Sequence, residues 1–192
     1  MVQQGIKAFG RLDVVVANAG FGIAGNLDSL TLDDYRRQFE VNVFGVLRTI
    51  YATLDELKKS QGTLVLIGRI VGVISTPGGS PYSMSKFSVH ALAQALCHEL
   101  KPYGESVVLI APGLVESEFR RVDNQGQYSA DAPEGVPRFL ILPTRRAAMM
   151  IIKAIERRRK FQVITLHGKV LVWAQRHFPG LVSWFLARRL GF

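Results

Sequence analysis

A phenol and an ammonium stand four residues apart in Tyr82-Ser83-Met84-Ser85-Lys86. On a helix that spacing puts both side chains on one face, one turn apart. A cation beside the hydroxyl favours phenolate, moving a tyrosine down from its ordinary pKa of about 10 towards the range where it exchanges a proton near neutrality. Two common residue types at helical spacing also meet by chance, and an exposed surface pair is the competing reading. What surrounds the pair decides between them.

The elements that must carry it are legible from apolar patterning. Leu12 to Ala17 reads as a buried strand ending in the turn Asn18-Ala19-Gly20-Phe21-Gly22. Thr31 is a suitable N-cap for a helix running to about Lys59, with Asp33 and Asp34 in its first turn and Tyr35, Phe39, Val43, Val46, Ile50 and Leu54 on its apolar face. Thr63 to Ile67 forms a second strand, and a Gly/Pro/Ser-rich loop leads to a helix near Tyr82 to Leu100. Ser106 to Ala111 is a third strand, stopped by Pro112-Gly113. A helix near Thr144 to Arg159 and a short strand, Phe161 to Leu166, follow. Wholly apolar strands alternating with amphipathic helices predict an α/β fold with a parallel sheet covered on both faces.

The 192 residues, 48% hydrophobic, suit one domain with a substantial core. The single cysteine, Cys97, excludes an internal disulfide and fits a reduced, cytoplasmic compartment. His90, His98, His167 and His177 show no ligand spacing, so no metal is expected. The net charge of +9 is weighted to the end of the chain, in Arg145, Arg146, Arg157, Arg158, Arg159, Lys160, Lys169, Arg176, Arg188 and Arg189. No nucleic-acid-binding pattern accompanies these residues. A solvated face or an anionic membrane surface accounts for them instead.

In order, the chain carries Asn18-Ala19-Gly20 after a strand, Asn42 within a helix, Tyr82/Lys86, and Pro112-Gly113-Leu114-Val115-Glu116-Ser117 after another strand. This set resembles the short-chain dehydrogenase/reductase family over roughly residues 9 to 120. The resemblance implies a doubly wound, Rossmann-like parallel sheet, here N-terminally truncated, binding NAD or NADP across the strand ends. It implies Tyr82 as general acid/base for a small-molecule alcohol or carbonyl substrate, Lys86 on the nicotinamide ribose, and Asn42 anchoring a water in a proton relay. Asn18, Ala19 and Gly20 would line the adenosine side; Pro112, Gly113, Val115 and Ser117 would meet the carboxamide and diphosphate. Homo-oligomers are the family's usual assembly.

Two departures stand out. The family's opening TGxxxGxG turn is absent, which leaves the choice between NAD and NADP unread. A shortened chain, an incomplete gene and a preceding part outside the sequence are all consistent with that, and Leu12 to Ala17 would then be an exposed sheet edge. The family also places a substrate-orienting serine thirteen residues before the tyrosine, where Arg69 stands. Either the loop is shifted, or this copy is impaired, or the local sequence is in error. Beside an oxidoreductase acting on secondary alcohols and ketones, a catalytically silent binding or dimerisation module is therefore the second reading. The tail, residues 168–192, is helical in pattern, apolar and basic, and broken at Pro179-Gly180. It covers the substrate cleft or a subunit interface, or lies on a membrane surface, which would suit an apolar substrate.

Overall fold

Thr63–Ile67 and Ser106–Ala111 form strands with the bounds their apolar runs predict, buried along nearly their whole length. The structure, a computed structural model, describes residues 2–131 and 136–190; the last two residues of the tail and the side chain of Arg189 lie outside the described residues. Four strands, β1 (Val14–Ala17), β2 (Thr63–Ile67), β3 (Ser106–Ala111) and β4 (Phe161–Val163), lie in that order in one parallel sheet. Val16 pairs with Val65, Val65 with Val108, and Leu109 with Phe161.

The period of two along each strand divides the core. Leu64, Leu66, Val107 and Leu109 face α3 (Gly45–Ser60) and α4 (Ser80–Glu99), meeting Val46, Ile50, Leu57, Val89 and Ala93. Val65, Val108 and Ile110 face α5 (Thr144–Glu156), through Ala147 and Ala154. Helices on both faces of a parallel sheet are the doubly wound α/β arrangement that the patterning predicts.

β1 pairs with β2 alone among the described residues. Val15 and Ala17 join the core beneath α3 and α4, while Val14 and Val16, beyond the reach of α5, are 43% and 47% exposed. A short helix, α1 (Val2–Phe9), precedes β1 and buries no residue.

The helix predicted from Thr31 begins there with a capping box. The Thr31 hydroxyl accepts from the Asp34 backbone N–H, and the Asp34 carboxylate accepts from the Thr31 N–H. It is not one uniform helix, however: α2 (Leu32–Phe39) passes through a π-helical segment, Glu40–Phe44, into α3. The fourth strand also stops earlier than predicted, at Val163. Leu166 begins α6 (Leu166–His177), and the tail breaks at Phe178, with Pro179 opening α7 (Pro179–Leu190). Proline fits a first helical position because no N–H is needed there.

Candidate active site

The first turns of α4 deliver Tyr82 and Lys86 to the carboxyl ends of β2 and β3. Lys86 is buried, and its Nζ donates to the Ile67 carbonyl at 2.9 Å, tying the helix to the end of β2. That Nζ lies 5.8 Å from the centre of the Tyr82 ring, so the pair shares a face as its spacing predicts. A cleft of about 300 Å³ gathers Tyr82 and Lys86 with Asn18, Gly20, Arg69, Pro112, Val115 and Ser117. No residue beyond Ile164 lines it among the described residues, so α6 and α7 do not close over Tyr82.

Asn42 and Gly113 stand behind this cleft, not in its wall. Asn42 is fully buried; its Nδ2 donates to the Phe21 carbonyl and to Ser85 Oγ, both at 3.0 Å, and its Oδ1 accepts from the Phe21 N–H. Gly113 packs so tightly that a Cβ there would collide with Thr165 Oγ1. Ala19, in the turn after β1, is exposed beside the cleft's Asn18 and Gly20.

Several residues that build the site carried no sequence signal of their own. Gln38, one turn before Asn42 and also fully buried, accepts from the Ile23 N–H at 2.7 Å and donates to the Phe21 carbonyl at 2.8 Å. Two amides four residues apart on a helix thus fix the loop after β1, and that spacing was the only clue available. Phe119 packs its ring 5.3 Å from that of Tyr82 and adds an apolar wall.

Burial pushes the Tyr82 phenol above its usual range, and the cation that opposes this is Arg69, through its charge and a hydrogen bond. Burial also brings the pKa of Lys86 down to about 8, with Arg69's charge the next cause. The arginine thirteen residues upstream thus joins the lysine one turn along as a cation beside the tyrosine ring.

His90 lies beneath Arg69, with its ring against Gly68 and Gly72 and edge-on to Phe161. Burial holds its pKa down to about 4, against the Arg69 backbone, which raises it, and with the charge of Lys86, which lowers it. The folded value lies below the ordinary 6.5, so this contribution to stability is complete above about pH 6.5 and lost as pH falls towards 4. Melting temperatures measured from pH 7 to 4 should show an acid loss of about 2–3 kcal/mol that His90→Gln removes. An unchanged slope in the variant would place the acid lability elsewhere.

A family model for short chain dehydrogenases matches residues 1–127. The chain is 33% identical over 132 residues to an uncharacterized oxidoreductase of Schizosaccharomyces pombe, covering 68% of this chain and 56% of that protein. It is 38% identical to a 3-ketodihydrosphingosine reductase of Bacteroides thetaiotaomicron over 113 residues, 58% of this chain and 42% of that one. The chain thus spans about half the length of these curated relatives. An alcohol dehydrogenase from the archaeon Thermococcus sibiricus, solved with 5-hydroxy-NADP, superposes with a TM-score of 0.69 at 26% identity, covering 85% of this chain and 66% of that one. Motif order, parallel sheet, cleft and family match agree: the chain belongs to the short-chain dehydrogenase family.

Proposed function

We propose that the protein is an NAD- or NADP-dependent oxidoreductase that interconverts a secondary alcohol and a ketone. The observation that carries this reading is the convergence of Tyr82, Lys86 and Arg69 on one cleft at the carboxyl ends of parallel strands, the position where such sheets bind ligands. A nicotinamide would supply or accept the hydride when bound. The residues present fit it: one of the three Lys86 ammonium donors is engaged by Ile67, which leaves two for ribose hydroxyls. Gly20 lies so close that a Cβ there would stand 3.0 Å from Asn42 Oδ1 and 3.7 Å from Lys86 Nζ.

In this reading Asn18, Ala19 and Gly20 border the adenosine side, and Pro112, Gly113, Val115 and Ser117 border the carboxamide and diphosphate. Asn42 anchors a water in the proton relay. Tyr82, held as a neutral phenol by burial, gives its proton to the carbonyl oxygen during reduction and recovers it from the alcohol in the reverse direction. A silent binding module is the weaker reading, since a buried ammonium in an open cleft costs stability that mere binding of partners would not require. Loss of reduced-nicotinamide absorbance with NADH or NADPH and a panel of ketones tests the proposal; no turnover with any of them would sink it.

The tail extends this reading to a cytoplasmic enzyme that works at a membrane surface on an apolar substrate, as a homo-oligomer. Leu166, Val170, Trp173, Leu181, Trp184 and Phe185 are all more than half exposed on α6 and α7. No Asp or Glu follows Glu156, whereas Lys169, Arg176 and Arg188 stand among these apolar groups. No helix among the described residues is long and apolar enough to cross a membrane. Exposed aromatics flanked by uncompensated arginines suit the anionic headgroup region instead. Co-sedimentation with anionic vesicles should be lost when residues 168–192 are deleted, and binding that survives this deletion, or is absent at low salt, removes the membrane reading.

A further inference from the structure

Arg69 leaves β2 in extended backbone, at φ −167° and ψ 164°, with its neighbours fixed on both sides. The Gly68 N–H donates to the Ile110 carbonyl at 2.8 Å, and the Ile70 N–H to the Pro112 carbonyl at 3.1 Å. The side chain therefore enters the cleft from an anchored base. Its Cζ lies 5.2 Å from the centre of the Phe119 ring and 6.0 Å from that of Tyr82, so the guanidinium is held beside the reacting hydroxyl.

What this group lacks among the described residues is a counter-charge. Among the described residues no Asp or Glu lines the cleft, and the ion pairs lie elsewhere, on Asp13, Asp33, Asp34, Glu40 and Glu56. Lys86 adds a second cation to the same small volume. The described partners of Arg69, the Tyr82 hydroxyl and the Phe119 and Tyr82 rings, are all neutral, and a half-buried charge facing a second cation without an anion is unfavourable. An anion brought by a ligand compensates it. The planar fork of donors matches a carboxylate in two parallel hydrogen bonds, a geometry that neither a serine nor a lysine reproduces.

Building on the oxidoreductase reading above, we infer that Arg69 determines specificity by binding a carboxylate of the substrate, so that the substrate class is an oxo acid whose carboxylate lies within two carbons of the carbonyl, with the matching hydroxy acid as product. The carboxylate is not transformed. Hydride and the Tyr82 proton add across the C=O bond as before, while Arg69 fixes which end of the molecule faces the hydroxyl. An apolar chain on the far side remains compatible with the tail.

The test compares a 2-oxo acid with its methyl ester, which keeps the carbonyl and removes the charge, on the protein carrying its cofactor. The acid should be preferred by about 10²-fold in kcat/KM, and Arg69→Gln should erase that preference, so that acid and ester are turned over with equal efficiency by the variant whatever its overall rate. Calorimetric titration with oxalate, which cannot react, should show binding to the wild type that the variant loses. Nicotinamide-nucleotide affinity should stay within about threefold, since an equal loss there would mean that the anion is a cofactor phosphate and would overturn the inference. Turnover with no preference for the acid sinks the inference and leaves the oxidoreductase reading standing. Oxalate binding at Arg69 without turnover of any carbonyl compound does the reverse.

Discussion

Tyr82→Phe should lower kcat by about 10²- to 10⁴-fold, the usual loss when a positioned proton donor is removed, and should leave nicotinamide-nucleotide affinity within about twofold. The substitution deletes one oxygen. The ring keeps its place against Phe119 at 5.3 Å, and Lys86 keeps its hydrogen bond to Ile67, so neither the cleft wall nor the ribose donors change. Because burial holds the phenol protonated, the oxygen's contribution is a proton that no neighbouring group replaces: Arg69 remains protonated throughout, and Lys86 points at β2. Lys86→Ala should weaken both turnover and nucleotide affinity. Steady-state rates with paired binding titrations separate the two variants; retention of most turnover by Tyr82→Phe would exclude the proposed role.

Gly68→Ala should cost about 2–3 kcal/mol and lower the melting temperature by roughly 5–10 °C, as overpacking of a filled interior does. A Cβ at this position would lie 2.5 Å from His90 Nε2, 2.8 Å from His90 Cδ2 and 3.0 Å from Leu109 Cδ1, among groups with no room to retreat. His90 is itself buried, and Gly72 closes on the same two ring atoms, Nε2 and Cδ2. The same substitution displaces the backbone of Arg69, so affinity for an anionic substrate should fall with stability. A cycle with His90→Ala checks the cause: the double variant should be at least about 1 kcal/mol more stable than the two single losses added together. Simple additivity would show that the glycine is required for some other contact.

Much of the scaffold was readable because one physical rule governed each piece. β2 and β3 have the predicted bounds since a strand covered on both faces must be apolar throughout, and such a run has sharp ends. Thr31 capped its helix because the first backbone N–H groups of any helix need an acceptor. Gln38 and Asn42 escaped notice as buried residues because their stretch of helix packs against the backbone of a loop, where amides and not aliphatic groups are required. An apolar pattern cannot report such a contact. Helical spacing reveals the nearness of Lys86 to Tyr82, whereas Arg69, just after β2, comes within 6.0 Å of the Tyr82 ring only through the fold. α1 buries nothing and so imposes no pattern on its sequence.

The π-helical segment gives the long helix something akin to a reading frame. Gln38, Asn42, Val46 and Ile50 are all buried and follow one another at intervals of four. In an unbroken α-helix, at 100° per residue, that row would drift by about 40° at every step. The wider turn at Glu40–Phe44 absorbs drift at the point where the helix changes its client, from the loop at Phe21–Ile23 to the sheet beneath α3. A chain one residue shorter here could still form a sound helix and still bury Val46 and Ile50. It would turn Gln38 and Asn42 by about 100° from the loop they hold. Length in this segment is therefore constrained more tightly than identity: Val41 and Phe44 point to solvent and tolerate exchange, but neither can be removed without putting the two ends of the helix out of phase.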